Sequence, residues 1–224
     1  MIRHSTDRQF SLGAGCVRLD GPADSKIRLV CEGTLKRIDM RALADYFRNT
    51  ADQFATGEFW GKLMRAACML CAYTGDADLR RIVDDSAADM MGIQRPDGCL
   101  STVPDALQPQ GTHGSDLWER KYVMLGLDEY YRWVEQNPAV LEALKKHADC
   151  LIAQIGHAPK TEIVDLGWSA TNIGHEACHI ESSTLLEPFM RLYNWTGEQR
   201  YLDFASYIVE SGETKHFDLI QQAC

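Results

Sequence analysis

The residues best equipped for chemistry gather in two polar stretches. They are QRPDGCLSTVPDALQPQGTHGSDLWERKY over 94–122 and GHAPKTEIVDLGWSATNIGHEACHIES over 156–182. Each is rich in Gly, Asp, Thr and His, and each delivers the chain into a helical pattern. General acid–base cleavage needs one carboxylic acid to give a proton and a second group as base or nucleophile. Asp116, Glu119 and Glu181 are the carboxylates placed for such work, so they are the catalytic candidates. Sugar rings stack on aromatic faces and hydrogen-bond at their edges. That makes Asp97, His113, Trp118, Arg120, Tyr122, Trp168, His175 and His179 substrate-binding candidates, together with Trp60 at the matching place one repeat earlier. A plainer role competes for some of them. Ser115 or Asp116 is a sound N-cap, and Glu119 downstream completes something like a capping box. Either tryptophan could equally face the core.

His175-Glu176-Ala177-Cys178-His179 matches H-E-x-x-H, in which two histidines on one helical turn bind zinc and the glutamate acts as base. Its flanks fit poorly. Gly174 precedes it, the stretch opens a helix rather than centring one, charged Glu181 stands where an apolar residue is wanted, and no clear third ligand follows. The histidines read better as rim or capping residues. No metal ligand is therefore assigned, and a zinc-dependent hydrolase is kept as an alternative. Cys68-Met69-Leu70-Cys71 is one CxxC on an apolar helix, which favours two core cysteines over a metal site. Lys145-Lys146-His147 reads as a solvated outer face.

The elements that must position these groups are helices in pairs. After residues 1–34, read as an extended arm or hairpin from the short apolar runs Cys16–Leu19 and Ile27–Val30, the pattern turns helical from Leu35. Helices are expected at about Phe59–Tyr73 and Asp76–Met91, Leu117–Val134 and Ala139–Ile155, and Ser182–Trp195 and Gln199–Val209. Tyr73, Trp133 and Trp195 stand just before the short turns, 60 and 62 residues apart. A period near sixty describes a helical hairpin that cannot bury its apolar face alone, so stacked neighbours complete the core. The fold class is thus all-α, with residues 35–224 as one domain. Short turns (TGD, QNP, TGE) alternate with long polar loops, which sends the loops to one rim. Three helix starts should converge there, GEFWGK at 57–62, SDLWERK at 115–121 and HIESST at 179–184. Their free N–H groups face the same rim.

Composition narrows the partners. The net charge of −9 argues against nucleic acid, whose binding needs clustered Lys and Arg. No segment is apolar for long enough to span a bilayer and the N-terminus lacks a secretory signal, so the expectation is a cytoplasmic protein without a membrane partner. Eight irregularly spaced cysteines in 224 residues make reduced thiols the default.

FWGKLMRAACMLCAYTGD, QRPDGCLSTV, DLWERKYVMLGLDEYYRW, HADCLI and LEPFMRLYNWTGEQRYLDFASYIVESG resemble the N-terminal part of the glycoside hydrolase family 127, the β-L-arabinofuranosidase-like group. The similarity covers most of residues 35–212, and its most specific pieces are Q-x-x-D-G-x-L and R-L-Y-x-x-T-G-x-x-x-Y-L-D. The resemblance implies about half of an (α/α)6 toroid, the six-hairpin glycosidase architecture, acting on oligosaccharides and possibly on L-arabinofuranosides. A non-catalytic carbohydrate-binding or scaffold piece is the alternative. It also implies a cysteine nucleophile and a glutamate on a zinc–thiolate site well downstream, which would leave the rim carboxylates as substrate binders. The better-known branch carries His-Glu-Leu-Tyr and then Gly-His, where this chain reads Asp116-Leu117-Trp118-Glu119 and then Lys121-Tyr122. Near the third inner helix Glu181-Ser182-Ser183-Thr184 replaces its Gly-His-x-Glu. A half toroid has an open edge, so the expectation is either a fragment of a longer toroid or a half that closes by self-association.

Overall fold

A computed structural model of the chain describes residues 12–13, 15–167 and 180–211. The helices there are α1 (Pro22–Val30), α2 (Met40–Arg48), α3 (Gly57–Thr74), α4 (Ala77–Ile93), α5 (Asp116–Trp133), α6 (Pro138–Gln154), the single turn α7 (Ile180–Ser183), α8 (Leu186–Thr196) and α9 (Gln199–Glu210). No strand occurs among the described residues, and no helix there is long and apolar enough to cross a membrane.

Residues 22–34 differ from the extended arm or hairpin expected for residues 1–34. Ile27–Val30 lies inside α1, which runs on into a π-helical turn at Cys31–Leu35. Pro22 opens that helix with its φ already set, and Arg28 reaches back 2.8 Å to Asp24 one turn earlier. These local helix signals outweigh the short β-like alternation. The Tyr73 hydroxyl accepts from Leu19 N–H and donates to Asp24, tying the arm to α3.

The three hairpins form as their turn chemistry requires. Gly75 and Gly197 end α3 and α8 in the left-handed conformation that suits glycine. The Asp76 carboxylate accepts from Leu79 N–H at 2.8 Å, and the Asn137 side-chain oxygen accepts from Ala139 N–H just after Pro138. The third pair departs from expectation, because Ser182–Trp195 is broken between α7 and α8. Pro188 has no N–H to give and its ring crowds the carbonyl four residues back, so one continuous helix is disfavoured there.

α3 and α5 lie side by side and run parallel. Gly57 meets Glu119, Gly61 meets Tyr122, and Met64 meets Gly126, with both numbers rising together. The approach is close: a Cβ on Gly61 would lie 2.0 Å from the Tyr122 carbonyl oxygen. Lateral partners elsewhere keep the same offset, Arg191 on α8 reaching Asp128 and Glu129 on α5 at 2.8 and 2.9 Å. The sixty-residue period is therefore the lateral spacing of neighbouring hairpins. The core between the helices holds Trp60, Met64, Leu79, Met90, Leu117, Met124, Leu127, Phe189 and Tyr201. Cys68 and Cys71 lie in it too, as expected for core cysteines.

The α4–α5 loop is laid along α6. The Gln94 side chain donates to the Gly98 and Ala143 carbonyls, and His147 Nδ1 accepts from Leu100 N–H at 3.0 Å. His147 is fully buried, which corrects the solvated face expected at 145–147. Burial, with Arg120 nearby, holds its pKa well below the usual histidine range, so the neutral ring serves as the acceptor that anchors the loop.

Candidate active site at the long-loop rim

The starts of α3 and α5 do converge. The Glu119 side chain crosses between them: its Oε2 accepts from Gly57 N–H at 2.9 Å and from Thr102 Oγ1 at 2.7 Å, and its Oε1 accepts from Ser115 Oγ at 2.9 Å. Burial, opposed by these three donors, pushes Glu119 up to about 7. Asp116 is deeper still. Ser101 Oγ donates to it and Arg120 Nη1 lies 3.3 Å away, with all access to solvent lost. Burial raises its pKa while Arg120 lowers it, the balance being upward.

Several candidates are thereby corrected. Arg120 is buried among Asp116, Gln154 and Cys150 and does not reach the rim. Trp60 is a core residue whose indole N–H donates to Ser86 Oγ at 3.1 Å. Asp116 and Glu119 brace the loop to the helices, and their carboxylates do not form the open surface. Asp97 is exposed and accepts from Cys99 N–H at 3.0 Å, which shapes its own loop. His113 is exposed, edge-on to Phe54 at 6.2 Å. Trp168, His175 and His179 lie outside the described residues, as does the whole His175–His179 motif.

The structure does bring Trp118 and Glu181 together, in one cavity of about 360 Å3 also lined by Phe54, Ala55, Glu58, Lys62, Gly114 and Ser115. The Trp118 indole N–H donates to Glu58 Oε2, and the same oxygen takes Lys62 Nζ at 2.8 Å. The Tyr122 ring stands edge-on to Trp118 at 5.1 Å. Glu181 Oε2 is buried with no hydrogen-bond partner among the described residues, and burial raises that carboxyl above its ordinary pKa. Such an oxygen is free to hydrogen-bond a group that enters the cavity. Glu119 lies directly behind this wall, through Ser115.

Glu58 and Lys62 were not singled out from sequence. The signal was available, since they stand 60 residues before Trp118 and Tyr122 in GEFWGK. Among the described residues no three His, Cys, Asp or Glu side chains converge as a metal site, so no described donor set fits the zinc that the family resemblance implies.

The catalytic-domain family described as β-L-arabinofuranosidase, GH127, matches residues 30–218. Among solved structures, a GH127 β-L-arabinofuranosidase from Geobacillus stearothermophilus T6 aligns with a TM-score of 0.57 and 15% identity, over 89% of this chain and 31% of that one. A second structure, described as a GH127 β-arabinofuranosidase, aligns with a TM-score of 0.56 and 16% identity over 85% of this chain and 30% of that one. At these identities the likeness is one of fold, and the chain spans about a third of either relative. No curated protein matches the sequence.

Proposed function

From the premise that this chain belongs to the glycoside hydrolase family 127, the β-L-arabinofuranosidase family, we propose that its rim cavity holds one sugar ring of an oligosaccharide during glycoside hydrolysis. One observation carries the reading: the Trp118 ring shares a cavity with Glu58, Lys62 and a Glu181 oxygen that has no hydrogen-bond partner among the described residues. An aromatic face beside polar groups of both kinds suits a ring whose faces are apolar and whose hydroxyls both donate and accept. Trp118 packs on the ring, Glu58 and Lys62 bond its hydroxyls, and Glu181 hydrogen-bonds the glycosidic oxygen. Asp116 and Glu119 keep the wall in place. No step is routed through a metal, and the His175–His179 alternative rests on residues outside those described.

The test joins turnover to binding. With nitrophenyl β-L-arabinofuranoside as substrate, and L-arabinose as ligand read by tryptophan fluorescence, Trp118→Ala is expected to weaken sugar binding about tenfold, the scale of one lost aromatic contact. Glu181→Gln is expected to lower turnover with little change in binding. Binding that survives Trp118→Ala unchanged sinks the assignment of the cavity. Sugar binding in the intact chain with no turnover of any nitrophenyl glycoside favours a non-catalytic carbohydrate-binding role instead.

A further inference from the structure

Beside the cavity, the face shared by α3 and α5 carries a lysine, Lys121, that no carboxylate among the described residues meets at ion-pair distance. Glu58, Lys62 and Arg65 follow one another at helical spacing on α3, and Trp118, Lys121 and Tyr122 do so on α5. Lys121 is only 6% exposed, yet it makes no hydrogen bond or ion pair among the described residues. Its ammonium lies 4.4 Å from the centre of the Trp118 ring and 4.6 Å from that of Tyr122. The Lys62 ammonium lies over the same rings, at 5.6 and 4.7 Å. Arg65 Nε is buried and has no hydrogen-bond acceptor among the described residues, its contact with Glu129 being a loose ion pair at 3.9 Å.

The nearby carboxylates are engaged elsewhere. Glu58 serves Lys62 and the Trp118 indole. Glu187 pairs with Arg191 at 2.9 Å, and Glu129 with Arg191 at 2.9 Å and with Trp133. Arg65 stands 3.7 Å from Glu187 and 3.9 Å from Glu129, beyond hydrogen-bond reach. Burial, with Arg65 and Lys62 close by, pulls Lys121 below the usual lysine pKa, while Glu187 and Glu58 oppose the shift. A largely buried ammonium without a carboxylate, next to a buried guanidinium N–H without a hydrogen-bond acceptor, favours an anion at this face.

We propose that Lys62, Arg65 and Lys121 form a subsite for the carboxylate of an acidic sugar, so that the oligosaccharide taken by this chain carries a uronate-type residue next to the one held by Trp118. The proposal rests on the sugar-binding reading above and makes it more specific. The aromatic rings favour a sugar carboxylate over a free small acid, since Trp118 and Tyr122 offer apolar surface within the same strip.

The test uses the full chain and a pair of probes that differ at one carbon, D-galacturonate and D-galactose, with acetate as the carboxylate lacking a ring. Galacturonate is expected to bind about tenfold or more tightly than galactose, as charge-assisted hydrogen bonds to a desolvated cation allow, and the preference should shrink in high salt. Lys121→Met should abolish the preference while leaving galactose affinity unchanged. Because Lys121 is buried, Lys62→Gln provides a second variant at a half-exposed position, and it should reduce the preference without unfolding the chain. Equal affinity for the two sugars overturns this inference and leaves the sugar-binding reading standing. Acetate binding as well as galacturonate overturns the sugar reading and with it the acidic-sugar assignment. Binding of none of the three overturns both.

Discussion

Glu119 accepts from three donors on three separate segments, so its carboxylate joins loop to helix and helix to helix. Its pKa is raised to about 7 in the fold from an ordinary 4.5, which gives a signed prediction. The folded state keeps a proton that the unfolded chain releases. Its favourable contribution is therefore complete below pH 4.5 and lost as pH rises through about 7, by up to about 3 kcal/mol. Urea denaturation across that window should show Glu119→Gln, which keeps the shape and removes the charge, losing this part of the pH slope. An unchanged slope would place the titration elsewhere. At the same scale, the sequence misplaced Trp60 for a definable reason. The lateral partner of Trp118 is Glu58, and Trp60 stands two residues further along α3. Two residues turn a helix by about 200°, to the opposite face. Arg120, two residues after Trp118, is rotated into the core by the same turn. Residue types alone could not supply that phase. A burial pattern on α5 was of little help, because nearly every position from Asp116 to Tyr130 is buried.

At the scale of the element, hairpins were readable because their turns carry strong local chemistry, Gly75 and Gly197 after the first helix and Asp76 or Asn137 before the second. The break between α7 and α8 was less readable, since Pro188 lies within an otherwise helical pattern. The α1 helix was hidden by a four-residue apolar run that fits either period. The close crossing of α3 and α5 gives this scale its prediction. Gly61→Ala would set a methyl group against the backbone of Tyr122, which cannot swing aside as a side chain would. It should cost about 3 kcal/mol or more, near the upper end for overpacking. Gly126→Ala meets the edge of the Trp60 ring at 2.9 Å and the Gly61 backbone at 3.1 Å, a milder overlap than the 2.0 Å at Gly61, and should cost less. Thermal denaturation of the two variants, compared with the parent, reads the order directly. The reverse order would mean that the seam yields at Tyr122.

For the whole molecule, the sixty-residue repeat and the quoted family motifs carried the fold, since both describe scaffold. The functional rim was less legible because it depends on which loop residues point inward, and that is decided by packing partners such as His147 under Leu100. The constant offset between lateral partners also has a kinetic side. Each seam between neighbouring hairpins, whether Gly57 with Glu119 or Arg191 with Asp128, joins residues about 62 or 63 positions apart. The entropy of closing such a loop is therefore nearly equal for every seam, and none is favoured by mere nearness in the chain. Within a hairpin, contacts form between adjacent helices and are cheap. Folding should then proceed as hairpins that form quickly and dock slowly, with docking as the barrier. Substitutions in the α3–α5 seam, such as Gly61→Ala, should slow refolding from urea. Substitutions inside α9, whose contacts with its hairpin partner α8 are already made when the hairpins dock, should leave the unfolding rate nearly unchanged. The rhythm that makes the hairpins recognisable in the sequence thus also sets the pace at which they assemble.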